Sequence, residues 1–167
     1  MAVSVQPYVV SETTMAIIPE YSEKGVVKIF DVQGIYYENV KPIQLLNQAC
    51  MARGSSYDGR IQAVRNRLNY FRKTPLMICP NECIFTFPTK SHIEHDCYWI
   101  FPRHIQQICH FEGIPIIQFQ NGEQLMLNCS IFTLHRQIER TANCMFHFSK
   151  PPSLQIFYLP PKPLGRT

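Results

Sequence analysis

Six basic side chains within residues 53–73 are the strongest chemical signal in the sequence, and they are opposed there by a single acid, Asp58. The whole chain of 167 residues has a formal net charge of +4, so its excess of positive charge lies in this one segment. Such a concentration, behind a run of glycine and serine, is typical of a surface that docks a polyanion. We therefore predict nucleic-acid binding. The six side chains are Arg53, Arg60, Arg65, Arg67, Arg72 and Lys73.

A second set of side chains offers sulfur and nitrogen ligands that zinc accepts. Its members are Cys79, Cys83, His92, His95 and Cys97, followed by Cys109 and His110. The spacing is poor for a common zinc module, because no second closely spaced cysteine pair follows and the segment after Cys83 has the pattern of a strand. We predict no metal and seven reduced thiols. A zinc-stabilised protein-interaction module is the alternative that this set leaves open.

No arrangement of residues predicts catalysis. The sequence lacks the Gly-x-Ser-x-Gly elbow, the phosphate-binding Gly-x₄-Gly-Lys-Ser/Thr loop and the His-Glu-x₂-His pair, and its acids are scattered singly. We therefore predict that the protein is not an enzyme and needs no cofactor.

The elements that must position these side chains are short. With 46% hydrophobic and 17% charged residues, the chain can bury the core of one domain. Apolar, β-branched and aromatic runs predict short antiparallel strands, and Asn121-Gly122 predicts a hairpin turn. Strands grouped between helices indicate an α+β fold. The predicted strands cover residues 8–18, 26–32, 76–79, 84–87 and 98–101, with a hairpin at 115–127.

Two or three amphipathic helices are predicted between the strands. Pro42 suits the first turn of a helix over residues 42–53, and Gly54 ends that pattern. In the basic segment, Tyr57 begins an apolar stripe at helical spacing, with Arg60 and Arg67 on one flank and Arg65 and Arg72 on the other. A third helix over residues 130–148 begins at a serine N-cap and has a predicted core stripe, with Arg136 and Arg140 outside. That stripe is Ile131, Leu134, Ile138, Ala142 and Met145.

Several segments, taken in order, resemble the competence transcription factor family, ComK. They are Lys41-Pro42-Ile43-Gln44, the run Gly54-Ser55-Ser56-Tyr57-Asp58-Gly59-Arg60, the strand end Phe85-Thr86-Phe87-Pro88-Thr89, Trp99, and the turn Asn121-Gly122. The resemblance covers roughly residues 15–148. The glycine-serine-tyrosine-glycine-arginine run behind a Lys-Pro helix is its most specific part.

The resemblance implies a bacterial, sequence-specific activator that binds paired A/T-rich boxes of promoter DNA, largely through the minor groove. It implies a homo-oligomer, a dimer that assembles further on DNA, and contact with RNA polymerase. It also implies control by an adaptor that delivers the factor to an ATP-dependent protease. The basic segment agrees with the first of these, since a narrow A-tract groove attracts arginine side chains.

Specific DNA contacts are expected from the basic segment. We predict that Arg53, Arg60, Arg65 and Arg67 lie at the DNA and that Arg72 and Lys73 add phosphate contacts. Ser55, Ser56 and Tyr57 are predicted to hydrogen-bond phosphates, although the apolar stripe favours packing for Tyr57. The alternative is an RNA- or single-strand-binding protein, in which Tyr70 and Phe71 form a stacking platform for bases.

The end of the chain has a different composition. Five of the residues 151–167 are proline, which predicts a tail behind a DNA-binding domain of residues 1–150. Its aromatic-aliphatic cluster, Ile156, Phe157, Tyr158 and Leu159, is predicted to bind a partner, and in this family it is a plausible adaptor site. Folding of the cluster back onto the domain is the alternative.

The tail also departs from the family pattern, since we expect a longer C-terminal region, and this puts transcription activation in doubt. The start of the chain has no signal-peptide pattern, and no stretch has eighteen apolar residues. We therefore expect a cytoplasmic protein at the nucleoid, with no membrane partner.

Overall fold

An antiparallel meander opens the fold. In the computed structural model, which describes residues 6–149, the strands β1 (Thr14–Ser22), β2 (Gly25–Asp31) and β3 (Gly34–Glu38) follow one another and pair in sequence order. β-branched residues stiffen these strands, and Ile17, Val27 and Ile29 are buried on one face. The meander forms one half of the larger sheet.

Two helices then cover that face. The helix α1 (Pro42–Met51) has its proline in the first turn, where the missing N–H is not needed. The helix α2 (Tyr57–Leu68) begins at Ser56, whose hydroxyl oxygen accepts a hydrogen bond from the N–H of Gly59 at 3.0 Å. It ends where Asn69 takes the left-handed conformation, with φ of 59°.

The strands β4 (Leu76–Cys79), β5 (Ile84–Pro88) and β6 (Trp99–Ile100) complete a six-stranded sheet in the order β3-β2-β1-β6-β5-β4. A short 3₁₀ helix, Pro102–His104, leads into the strands β7 (Ile105–Phe111), β8 (Ile114–Phe119) and β9 (Gln124–Met126), which form a separate three-stranded sheet. The helix α3 (Ile131–Phe148) follows, and Ser130 caps its start by accepting from the N–H of Thr133.

Within residues 6–149, three hydrophobic clusters hold the helices and the two sheets together. The first packs α1 and α2 on the large sheet around Trp99. The second joins the two sheets through Phe30, Ile100 and Phe119 and reaches the start of α3. The third is small and lies where α2, β4, β5 and α3 meet; its fully buried members are Val64, Met77, Phe85 and Cys144. The third cluster therefore fixes α3 relative to α2.

The predicted α+β class is confirmed: residues 6–149 form a single domain with antiparallel strands and three α-helices. Five predicted strands and the hairpin at 115–127 have counterparts in the structure, and the strand at 76–79 has the predicted bounds. Two strands, β3 and β7, were not predicted. In β7 a bulge between Ile105 and Gln107 interrupts the alternation of apolar residues that identifies a strand in sequence.

Several boundaries differ from the prediction. Residues 8–13 precede the first strand instead of forming it, and α1 ends at Met51, so Arg53 lies beyond the helix. Since α2 ends at Leu68, Arg72 does not lie on a flank of this helix. The buried stripe of α3 is Leu134, Gln137, Thr141 and Cys144.

The predicted stripe of α3 was therefore wrong in part. Of its members only Leu134 is fully buried, Ala142 is exposed, and the remaining three are half-buried. The physical reason is that two polar side chains in the true stripe, Gln137 and Thr141, satisfy their hydrogen bonds inside the protein.

The predicted tail, residues 151–167 with Ile156, Phe157, Tyr158 and Leu159, lies outside the described residues, and so does the predicted boundary at residue 150. Within residues 6–149, no helix combines the length and the apolar character needed to cross a membrane.

Candidate nucleic-acid interface

The first arginines of the basic segment contact the protein itself. The Nε of Arg53 donates to the Glu82 carboxylate at 3.1 Å, and its Nη1 donates to the carbonyl oxygen of Ala49 at 3.1 Å. Arg60 reaches back from α2, and its Nη2 donates to the carbonyl oxygen of Arg53 at 3.2 Å. These two side chains therefore brace the turn between α1 and α2.

The serines of that turn shape the start of α2. Ser56 is the N-cap and uses its hydroxyl oxygen as the acceptor for the N–H of Gly59. A Cβ atom at Gly59 would lie 2.9 Å from the Oγ of Ser55 and 3.2 Å from the Oγ of Ser56. Glycine at position 59 thus makes room for two adjacent hydroxyl groups, which are half-buried.

Tyr57 packs in the core and does not project from the surface. Its ring meets Trp99 edge-on, with centroids 6.1 Å apart, and only 7% of the residue is exposed. Burial raises the pKa of the Tyr57 hydroxyl above its ordinary value. The packing role expected from the apolar stripe is thus what the geometry favours over a phosphate contact.

The later cations of the segment lie on the protein surface. Arg67, in the last turn of α2, and Arg72 and Lys73, beyond it, are exposed. Within residues 6–149, none of these three side chains forms a hydrogen bond or an ion pair. Arg65 differs from them, since its Nε donates to the hydroxyl of Thr74 at 3.2 Å. The charge available to a ligand is thus concentrated at the end of α2 and in the loop behind it.

That loop, residues 69–73, which we call the recognition loop, is held against α3 at two points. The hydroxyl of Tyr70 accepts from Nδ2 of Asn143 at 2.8 Å, and the Arg140 guanidinium lies 4.3 Å from the centre of the Tyr70 ring. At the other end, the carbonyl oxygen of Lys73 accepts from Nε2 of Gln137 at 2.9 Å. Both anchors leave the central residues of the loop projecting.

An open groove of about 610 Å³ runs between the recognition loop and α3. Arg72 and Lys73 line one side, and Arg136 and Arg140 line the other. This surface combines cations with exposed aromatic side chains, a chemistry that suits a phosphodiester backbone and its bases.

The sequence did not identify the α3 side of this groove. The pattern predicts Arg136 and Arg140 on the outer face of the third helix, but it contains no signal that they face residues 69–73. Tyr70 and Asn143 are 73 residues apart in the chain, and so local periodicity contains no signal for their contact.

The residues of the cysteine-histidine set differ in their exposure. Cys79 and Cys97 are buried and Cys83 is exposed. Burial raises the pKa of the Cys97 thiol to about 11, which keeps it protonated at neutral pH. Among residues 6–149, the structure brings together no group of three or more His, Cys, Asp or Glu side chains that is suited to a metal ion.

Comparisons with known proteins bear on nearly the whole chain. The family model described as ComK protein matches residues 5–152. A protein of Bacillus subtilis (strain 168) named competence transcription factor is 31% identical over 165 residues, which covers 94% of this chain and 85% of the relative. No solved structure matches the chain significantly.

Proposed function

Because the chain belongs to the ComK family, we propose that it is a sequence-specific DNA-binding transcriptional regulator of competence genes, the genes of DNA uptake. The name of the Bacillus subtilis relative, competence transcription factor, supports this role. The observation that carries the DNA-binding part is the recognition loop, in which Arg72 and Lys73 are exposed and face Arg136 across an open groove. Its proposed ligand is promoter DNA with paired A/T-rich boxes.

Recognition through the minor groove is part of the proposal. A narrow A/T-rich minor groove has an enhanced negative potential, which favours inserted arginine side chains. Arg67 and Arg72 are arginines with free guanidinium groups within the described residues, and they flank the end of α2. They are the first candidates to enter the minor groove of the DNA.

The other predicted contacts remain part of the proposed interface. Lys73 is assigned a phosphate contact. The edge of the proposed interface, which begins at the turn before α2, is assigned to Arg53, Ser55, Ser56, Arg60 and Arg65. Because Arg53, Arg60 and Arg65 already donate to protein oxygens, we expect their removal to affect the fold as well as binding.

Fluorescence anisotropy on labelled duplexes tests the proposal. The protein is titrated with a duplex containing two spaced A/T boxes and with a G/C-substituted duplex, over a series of salt concentrations, with a minor-groove drug as competitor. If about five cations neutralise phosphates, the slope of log affinity against log salt is about −4 to −5. The double variant Arg67→Gln/Arg72→Gln should make the slope shallower by roughly 2.

Lys24→Gln is the matched control, since Lys24 is an exposed cation in the β1–β2 hairpin. Its slope should equal that of the unaltered protein. Equal weak binding to both duplexes would contradict sequence-specific recognition, and tighter binding to single strands would favour the single-strand-binding alternative.

Partners and location complete the proposal. We assign the protein to the cytoplasmic nucleoid as a homo-oligomer, a dimer that assembles further on DNA, with RNA polymerase as a contact. The cluster of Ile156, Phe157, Tyr158 and Leu159 is assigned to the proteolytic adaptor. A non-enzymatic role accords with the name of the relative.

A further inference from the structure

Two exposed phenylalanines line the groove beside the recognition loop. Phe71, in the loop, is 64% exposed, and Phe132, in the first turn of α3, is 71% exposed. Burying such a side chain in a partner is favourable, and large exposed aromatic groups that share one groove indicate a binding site. The groove therefore offers apolar contacts as well as charge.

Phe71 is presented by a braced backbone. On one side of it, the hydroxyl of Thr74 donates to the carbonyl oxygen of Tyr70 at 2.6 Å, and the Tyr70 ring is covered by Arg140. On the other side, Lys73 has φ of 48° and its carbonyl oxygen is held by Gln137. A side chain that projects from an ordered loop enters a ligand without a large entropic penalty for the loop.

The charge around Phe71 selects a polyanion. Arg72 and Lys73 follow it directly, and Arg136 and Arg140 lie across the groove, while the acid nearest to them in sequence on α3 is Glu139. Two copies of this surface placed face to face would bring eight cations together, which disfavours a second copy as the occupant. Nucleic acid matches both features of this surface, because its phosphates pair with the cations and its stacked bases can receive the Phe71 ring.

We propose that Phe71 is a wedge that inserts between two base pairs of the bound duplex and bends it, while Phe132 covers the sugars beside the opened step. The inference rests on the proposed binding of A/T-rich duplex DNA. Minor-groove proteins use apolar wedges flanked by cations in this way, and TA steps, which A/T-rich boxes can supply, unstack readily. The flanking Arg72 and Lys73 hold the phosphates on either side of the step.

The test measures bending and unstacking separately from affinity. A duplex with two A/T boxes carries a fluorophore at each end, and a second duplex carries 2-aminopurine at a TA step. The unaltered protein should shorten the end-to-end distance and increase 2-aminopurine fluorescence. Phe71→Ala should abolish both signals and weaken binding roughly 10- to 100-fold. Its salt slope should stay unchanged, because no charge is removed.

Phe71→Leu should restore much of the bend, since leucine is also an apolar wedge. Phe111→Ala is the matched control, because Phe111 is 60% exposed at the end of β7, in the other sheet. It should leave bend, fluorescence and affinity as they are. Circular dichroism and thermal unfolding confirm that each variant is folded.

Two results would overturn the wedge. One is that the unaltered protein binds A/T-rich duplex specifically but neither bends nor unstacks it, or that Phe71→Ala bends and unstacks the duplex as the unaltered protein does. The other is that Phe71→Ala without DNA sediments more slowly than the unaltered protein, while it still bends the duplex. This would make the groove a self-association surface. If the unaltered protein shows no preference for the A/T-rich duplex, that result would instead refute the proposed function.

Discussion

Arg140 connects the two sides of the candidate interface. Its guanidinium covers the Tyr70 ring at 4.3 Å and its Nη1 donates to the side-chain oxygen of Gln137 at 2.9 Å. It is half-buried, whereas Arg136, one turn earlier on the same helix, is exposed. Two arginines of equal charge therefore differ in whether they also position the recognition loop.

We expect Arg140→Gln to weaken DNA binding more than Arg136→Gln. Both changes remove one charge, so the salt slope should become shallower by about 1 in each. Arg140→Gln also removes the cation–π contact that orders Tyr70, which should weaken affinity by up to about thirty-fold more. Anisotropy titrations of both variants measure the difference. Equal losses would show that the loop does not depend on Arg140.

The buried and the exposed cysteines should differ in reactivity, and the half-buried Cys129 should fall between them. Burial raises the pKa of Cys50 and Cys97 to about 11 and that of Cys144 to about 12, and Cys79 is also buried. Cys83 and Cys109 are exposed.

We expect iodoacetamide at pH 7.5 to label Cys83 and Cys109 first, because alkylation requires an accessible thiolate. Peptide mass spectrometry on samples taken over time measures the order. In urea all seven cysteines should react, which serves as the control. Rapid labelling of Cys97 in the folded protein would contradict the assigned burial.

At the scale of elements, the start of α2 has two assigned roles that one substitution separates. Ser56 caps the helix, and it is also a predicted phosphate contact. Ser56→Ala should lower the free energy of unfolding by about 1 kcal/mol through loss of the cap. Urea denaturation measures this effect, with Ser55→Ala as a control that leaves the cap intact.

DNA affinity then distinguishes the roles of Ser56. If Ser56 acts on DNA only through the helix, Ser56→Ala should bind the duplex normally at low temperature, where the fold is intact. A loss of affinity under those conditions would instead support a direct phosphate contact by its hydroxyl.

The elements also show how far the sequence could predict this protein. Strands with β-branched residues and helices with clear caps were identified, because their signals are local. Boundaries such as the end of α2 at Leu68 depend on one residue, Asn69, taking the left-handed conformation. The cations of the loop were found for the same local reason, whereas Arg136 and Arg140 depend on packing of α3 through the third cluster.

At the scale of the whole molecule, His104 links the segment before β1 to the second sheet. It is 8% exposed, and its Nε2 donates to the carbonyl oxygen of Glu12 at 2.7 Å. Burial lowers the pKa of His104; the bond to Glu12 and the charge of Asp31 oppose that shift, and Arg103 adds to it. The folded protein therefore holds this imidazole neutral where the unfolded chain, with an ordinary pKa of about 6.5, is protonated.

Stability should therefore fall as the pH falls from about 7 through 6.5 and towards the lower folded pKa, because the unfolded state binds the extra proton. Urea denaturation between pH 7.5 and pH 5.5 measures the slope of the free energy of unfolding against pH. His104→Gln keeps a donor for the Glu12 carbonyl and has no titrating ring, so its slope should be smaller. An unchanged slope in that variant would assign the pH dependence to other groups.

The way α3 is attached has a mechanical consequence. Two of the side chains that hold the recognition loop, Asn143 and Arg140, lie in the C-terminal half of this helix, and the chain continues beyond it. We expect a pulling force on that continuation to unwind α3 from its last turn, which removes the third-cluster contact of Cys144 and then detaches Asn143 and Arg140. Because the strands of the large sheet all lie upstream, between residues 14 and 100, we expect a molecule pulled from this end to lose the anchors of the recognition loop, and with them the proposed DNA contacts, before that sheet unfolds.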